Sequence, residues 1–150
     1  MMTRILRLGV VTALLLAISA LAVACGGGGD DKADIESAVK SSFKAIQDGD
    51  IDKYVGSFTK ECQEQADKEA IKHVIDELEA AIPDFQVKVD KVEVTKLEGD
   101  AATLQITSRI VDKDGKDVPG FETSPEESKA VKQDGQWRNP DCSDLPGAQG

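Results

Sequence analysis

FQVKVDKVEVTKLEGDAATLQITSRI, residues Phe85 to Ile110, is the stretch that decides the fold. In its second half Ala102, Leu104, Ile106 and Ile110 point one way, while Thr103, Gln105, Thr107 and Arg109 point the other. That period-two alternation is the mark of a half-buried strand. In its first half Phe85, Val87 and Val89 occupy odd positions and Val92 and Val94 even ones, so the apolar face changes near Asp90 and Lys91. One extra residue there, a β-bulge, keeps both apolar sets on one side and bends the strand. Glu98-Gly99-Asp100 supplies the turn, and the two halves pair antiparallel.

Toward the C-terminus, Asp114-Gly115 predicts a second hairpin leading to a weaker strand over residues 118–121. Asp134-Gly135 predicts a third, joining 128–133 to 136–138. Toward the N-terminus the period becomes helical. Ile35, Val39, Phe43 and Ile46 lie on one stripe, with Asp34 as N-cap and Gly49 as terminator. Asp50 caps a second short helix whose apolar face is Ile51, Tyr54, Val55 and Phe58. A third helix is predicted from about Gln63 to Ile82, with Ala70, Ile71, Val74, Ile75, Leu78 and Ile82 on one side, until Pro83 stops it. Each helix has one side to bury, and the sheet supplies the platform. Helices first and antiparallel hairpins after them predict an α+β fold: N-terminal helices packed on a curved antiparallel sheet. The domain spans residues 33–139, and the Pro- and Gly-rich tail 140–150 is expected to be irregular apart from Cys142.

Residues 1–24 read as a signal peptide. Arg4 and Arg7 form a positive start, and Leu8 to Val23 carry no charge over roughly 16 residues, below the about 20 that a spanning helix needs. Leu21-Ala22-Val23-Ala24-Cys25 resembles the bacterial lipobox, in which the closing cysteine receives diacylglycerol, with Ala22 standing where the lipobox usually has leucine. Cys25 is thus the expected lipidation site, and 25–32 a lipidated cysteine with a Gly-rich tether. Arg4 and Arg7 are not adjacent, which points to general secretion over the twin-arginine route. The expected location is the cell membrane, lipid-anchored and facing outside the cytoplasm. Ordinary cleavage after Ala24, leaving Cys25 free, is the alternative.

Loss of residues 1–24 removes Arg4 and Arg7 and no acidic side chain, leaving 16 basic against 28 acidic residues and a formal net charge of −12. Such a surface repels phosphate backbones and anionic headgroups, so nucleic acid is not an expected partner and membrane attachment rests on the lipid. One Trp and one Tyr are too few for a broad sugar- or base-stacking surface. With Cys25 assigned to lipid, Cys62 and Cys142 remain, an even number in an oxidising compartment that predicts one disulfide. Two unpaired thiols are the other reading.

The chain resembles the nuclear transport factor 2-like cone fold in the version found in small bacterial envelope lipoproteins. The resemblance covers residues 33–139. It rests on Ala45-Ile46-Gln47-Asp48-Gly49-Asp50, the following Tyr54 helix with Cys62 just beyond it, and the closing Asp134-Gly135-Gln136-Trp137-Arg138 strand. It implies a curved sheet wrapped by helices around a pocket at the mouth of the cone, for which Tyr54, Phe58, Phe85, Ser108 and Trp137 are the candidate lining residues. Some members are isomerases, cyclases or dehydratases, and many are noncatalytic binding or assembly modules. Little strand lies between the second and third helices here, which departs from the usual pattern.

Catalysis on such a fold needs an acid or base in apolar surroundings. The inward strand positions are aliphatic, with Ser108 the one polar interruption, and Tyr54 and Trp137 read first as core aromatics. No catalytic set is visible and no cofactor or metal is expected. Glu69, His73 and Glu77 align on one helix face, but that face lies off the apolar stripe and has no second His or Cys to complete a site, so it reads as solvated. Asp112, Asp114 and Asp117 resemble the start of a calcium loop, yet Gly115 takes the fourth place instead of the sixth, and a hairpin turn accounts for them. The expected function is that of a lipid-anchored, noncatalytic module binding a small apolar ligand or an envelope protein; an isomerase- or cyclase-type enzyme and a purely structural envelope protein are the alternatives.

Overall fold

Helix α1 runs Gly28–Gln47 in the computed structural model, which describes residues 28–121 and 125–147. The signal segment 1–24 and Cys25 lie outside the described residues. The helix begins inside the stretch read as a tether and ahead of Asp34, the expected cap, and a tertiary contact accounts for the early start. The Asp31 carboxylate accepts from Lys132 Nζ at 2.7 Å and from Trp137 Nε1 at 3.4 Å, and the Lys132 ammonium lies 5.7 Å from the Trp137 ring centroid. Asp30 and Asp31 in the first turn also suit the positive end of the helix dipole.

Gly49, at φ 66°, ends α1. Its amide donates to Ile46 O at 3.1 Å and that of Asp50 to Ala45 O at 2.9 Å, the paired bonds of a glycine C-cap. Asp50 then caps helix α2 (Ile51–Gly56) by accepting from the Lys53 amide at 3.0 Å. The predicted third helix is two, α3 (Lys60–Gln63) and α4 (Lys68–Ala81). Asp67 makes the break: its backbone is extended and its carboxylate accepts from the Ala70 amide at 3.0 Å, so a new helix starts there.

Strands β1 (Gln86–Glu98), β2 (Ala101–Val111), β3 (Glu126–Gln133) and β4 (Gln136–Arg138) form one antiparallel sheet in chain order. Val89 pairs with Ser108 and Lys91 with Thr107, leaving Asp90 as the bulge the alternation required. A second irregularity at Thr95, between the pairs Val94–Leu104 and Lys96–Thr103, returns Leu97 to the inner side. Two such bulges on one strand curl the sheet. Residues 118–121 do not form the predicted strand. Val111 bridges Asp117 and the Val118 amide reaches Ile110 O at 3.0 Å, but Pro119 has no N–H to continue the ladder and the chain turns through Gly120 at φ 92°.

The core has two parts. Ile35 of α1 packs with Ala102, Leu104, Ala130 and Trp137 on the inner face of the sheet. Val55, Phe58, Cys62 and Ile71, from α2 to α4, enclose Leu145, which is 2% exposed. The tail expected to be irregular is therefore folded as far as Gly147. Cys142–Asp144 form a 3-10 turn capped by Asp141, and Cys62 and Cys142 are joined by a disulfide with Cα atoms 5.0 Å apart.

Candidate functional site

Between the two core clusters lies an open cleft of about 500 Å³. Its floor is apolar because α1 lays its buried stripe over the concave face of the sheet: Ile35, Leu104, Ala130 and Trp137 are each no more than 6% exposed. Phe58 from the segment after α2 closes one side. The half-buried Val39, Phe43, Ile46 and Ile106 extend the apolar lining toward the mouth. The mouth is polar, with Glu126, Glu127 and Lys129 from β3 and Asp141 and Asp144 from the tail, all exposed.

Tyr54 and Phe58 sit edge to face with ring centroids 5.3 Å apart. The Tyr54 hydroxyl donates to the Asp144 carbonyl at 3.1 Å. Burial first, and then the Asp144 charge, push its pKa up to about 12, so the phenol stays neutral across the physiological range. Ser57 Oγ donates to Tyr54 O at 2.6 Å and lies 3.1 Å from Ser42 Oγ, adding a small hydroxyl patch to the lining. Asp141 is held below the usual carboxylate range by hydrogen bonds from the Ser143 hydroxyl and amide.

Of the residues nominated from the sequence, Tyr54, Phe58, Ser108 and Trp137 line this cleft. Phe85 does not: it is 4% exposed at the entry to β1, its amide bonded to Ile82 O, and its side chain is core elsewhere. His73 lies on an exposed face 3.4 Å from Glu77 and is not part of the cleft. Asp112 accepts from the amides of Asp114 and Lys116, both at 2.9 Å, and Asp117 pairs with Arg109, so these carboxylates serve the hairpin turn.

The sequence reading missed the acidic residues of the mouth. Glu126 pairs with Ile106 and Ser128 with Leu104, which sets Glu126, Ser128 and Ala130 on the concave face beside the inward residues of β2. The alternation Glu126, Ser128, Ala130 carried that signal. The predicted strand starts at Ser128, whereas β3 starts two residues earlier, at Glu126.

No family model matches this chain, and no curated protein matches it. Solved structures do. One is a candidate aromatic ring hydroxylase from Novosphingobium aromaticivorans, 18% identical, with a TM-score of 0.57 over 76% of this chain and 87% of that one. A second, from Nostoc punctiforme and described as having a cystatin-like fold, is 13% identical, with a TM-score of 0.56 over 73% and 85%. A third, a candidate dehydratase of the nuclear transport factor 2-like family from Streptomyces avermitilis, is 14% identical, with a TM-score of 0.55 over 75% and 93%. The fold is the cystatin-like cone. Identities this low speak for the fold alone, and in the cone the cleft is the concavity that the curled sheet and α1 enclose.

Proposed function

We propose that this chain is a lipid-anchored envelope protein whose cone binds a small, mainly apolar ligand without transforming it. The observation that carries the reading is the cleft itself: an open space of about 500 Å³ with an aliphatic and aromatic floor, a few serine hydroxyls in its lining and a charged mouth, the arrangement expected of a small-molecule site. Tyr54, the side chain best suited to donate a proton inside it, is already bonded to the Asp144 carbonyl.

Cys25 stands three positions before α1 in the sequence, so a lipid there tethers the domain through its N-terminal helix. The ligand enters from the aqueous side, directly or from an envelope partner.

The enzyme reading draws on Glu126, which shares the concave face with Ile106. Its exposure at the mouth leaves it hydrated, whereas acid–base groups on such a fold work in apolar surroundings. Native mass spectrometry of the exported protein tests the binding reading. The unaltered chain should carry a small molecule that Ile106→Trp, which fills the cleft, loses. An empty chain that also fails to take up any apolar compound from an envelope lipid extract would contradict it.

A further inference from the structure

We propose that the C-terminal segment Asp141–Leu145 is a strap forming one wall of the cleft, and that closure of the Cys62–Cys142 disulfide sets the cleft's affinity. This rests on the binding reading above and adds a condition to it: the domain becomes fully competent only in a compartment where the bond can form.

The strap faces two ways. On one side Leu145 is buried among Val55, Phe58, Cys62 and Ile71. On the other, Asp141 and Asp144 line the cleft, and the Asp144 carbonyl holds the Tyr54 hydroxyl. Ordered β pairing ends just before the strap begins, at Asn139, which bridges Phe58. From there the chain is held by the disulfide, by the Leu145 side chain, and by single polar contacts such as Asn139 Nδ2 to Asp144 Oδ2 at 2.7 Å. The covalent tie also reaches α3, a helix of four residues flanked by turns, so it fixes strap and α3 to each other. With the bond open, one buried leucine and isolated hydrogen bonds must order a segment that no ladder supports, and the wall loosens.

Opening the bond takes two electrons and two protons from a dithiol, which becomes a disulfide as Cys62 and Cys142 become thiols. The attack falls on Cys142, which is half-buried, because Cys62 is fully enclosed. In a reducing cytoplasm the strap is loose, and it locks after export. The cleft is therefore completed where its ligand is met.

The test uses the full chain, oxidised and after treatment with a dithiol. Nile red binding is followed by energy transfer from Trp137, the one tryptophan, which lines the cleft. Hydrogen exchange is measured in parallel on the Asp144 and Leu145 amides and on those of β2. Reduction should weaken Nile red binding by about tenfold or more and speed exchange in the strap by a similar factor, while β2 stays protected. Equal affinity in both states would overturn the proposal. So would loss of β2 protection together with the strap, since the bond would then hold the fold and not the wall. If the oxidised chain takes up no Nile red, the binding reading fails, and a strap whose exchange ignores reduction then sinks the wall as well.

Discussion

The hydroxyl of Tyr54 donates to the backbone carbonyl of Asp144 across 3.1 Å, tying α2 to a segment ninety positions further along the chain. Because Tyr54 is the sole tyrosine, tyrosinate absorbance reports it alone. In the folded chain its midpoint should lie at about 12, displaced upward by burial and by Asp144, and it should return to the ordinary 10.0 on unfolding. A raised pKa means that the neutral phenol favours the fold. This contribution is complete below the ordinary value and is lost as pH rises through the folded one. A folded-state midpoint at the ordinary value would show that Tyr54 is hydrated and that the strap does not cover it.

At the other end of α1, the Lys132 hydrogen bond holds the Asp31 carboxyl below its ordinary 3.8 against an opposing burial effect, with help from the Lys132 charge and the Trp137 N–H. Stability from this contact is present above the ordinary value and lost as pH falls through the lower folded one. Trp137 emission should accordingly change in acid with a midpoint below 3.8, and Asp31→Asn should abolish that transition. An unchanged acid transition in the variant would remove Asp31 from the account.

Leu145 is 2% exposed and Val74 47%. Leu145→Ala should cost about 2–5 kcal/mol through lost burial and the cavity left behind, whereas Val74→Ala should stay within about 0.5 kcal/mol. Urea unfolding of the oxidised chain distinguishes them. Similar midpoints for the two variants would mean that the tail is not part of the core.

What was legible in the sequence was local. The glycine cap at Gly49, the cap at Asp50, the bulge at Asp90 and the Asp134-Gly135 hairpin each depend on neighbours within a few positions, and each appears as the pattern implied. Composition misled where tertiary contacts decide. Glycines at the start of α1 read as tether, yet Asp31 finds Lys132 across the fold. Leu145, isolated among Pro and Gly, gave no period to read, and only the folded α2–α4 cluster provides its site. Four of the five nominated lining residues reach the cleft. Its carboxylates were not legible in the same way: Glu126 lies ahead of the predicted strand start, and Asp141 and Asp144 reach the mouth only because the tail folds back onto the α2–α4 cluster.

Anchoring is tested at Cys25. The native chain should partition with membranes and yield an N-terminal peptide carrying diacylglycerol mass. Cys25→Ala should either retain residues 1–24 or release a soluble domain. Native protein that begins at Cys25, bears no added lipid and stays in the aqueous phase is the outcome that rules out the anchor.

The central claim, a cleft that binds by shape and apolar contact and performs no chemistry, is met most directly by restoring function in a deletion strain at matched levels of folded protein. One variant removes the Ser108 hydroxyl and the Glu126 charge, Ser108→Ala with Glu126→Gln, and another fills the cavity, Ile106→Trp. The first should restore function and the second should not. Loss of function in the first, with Ile106→Trp still active, would contradict it and make Glu126 or Ser108 the seat of a reaction.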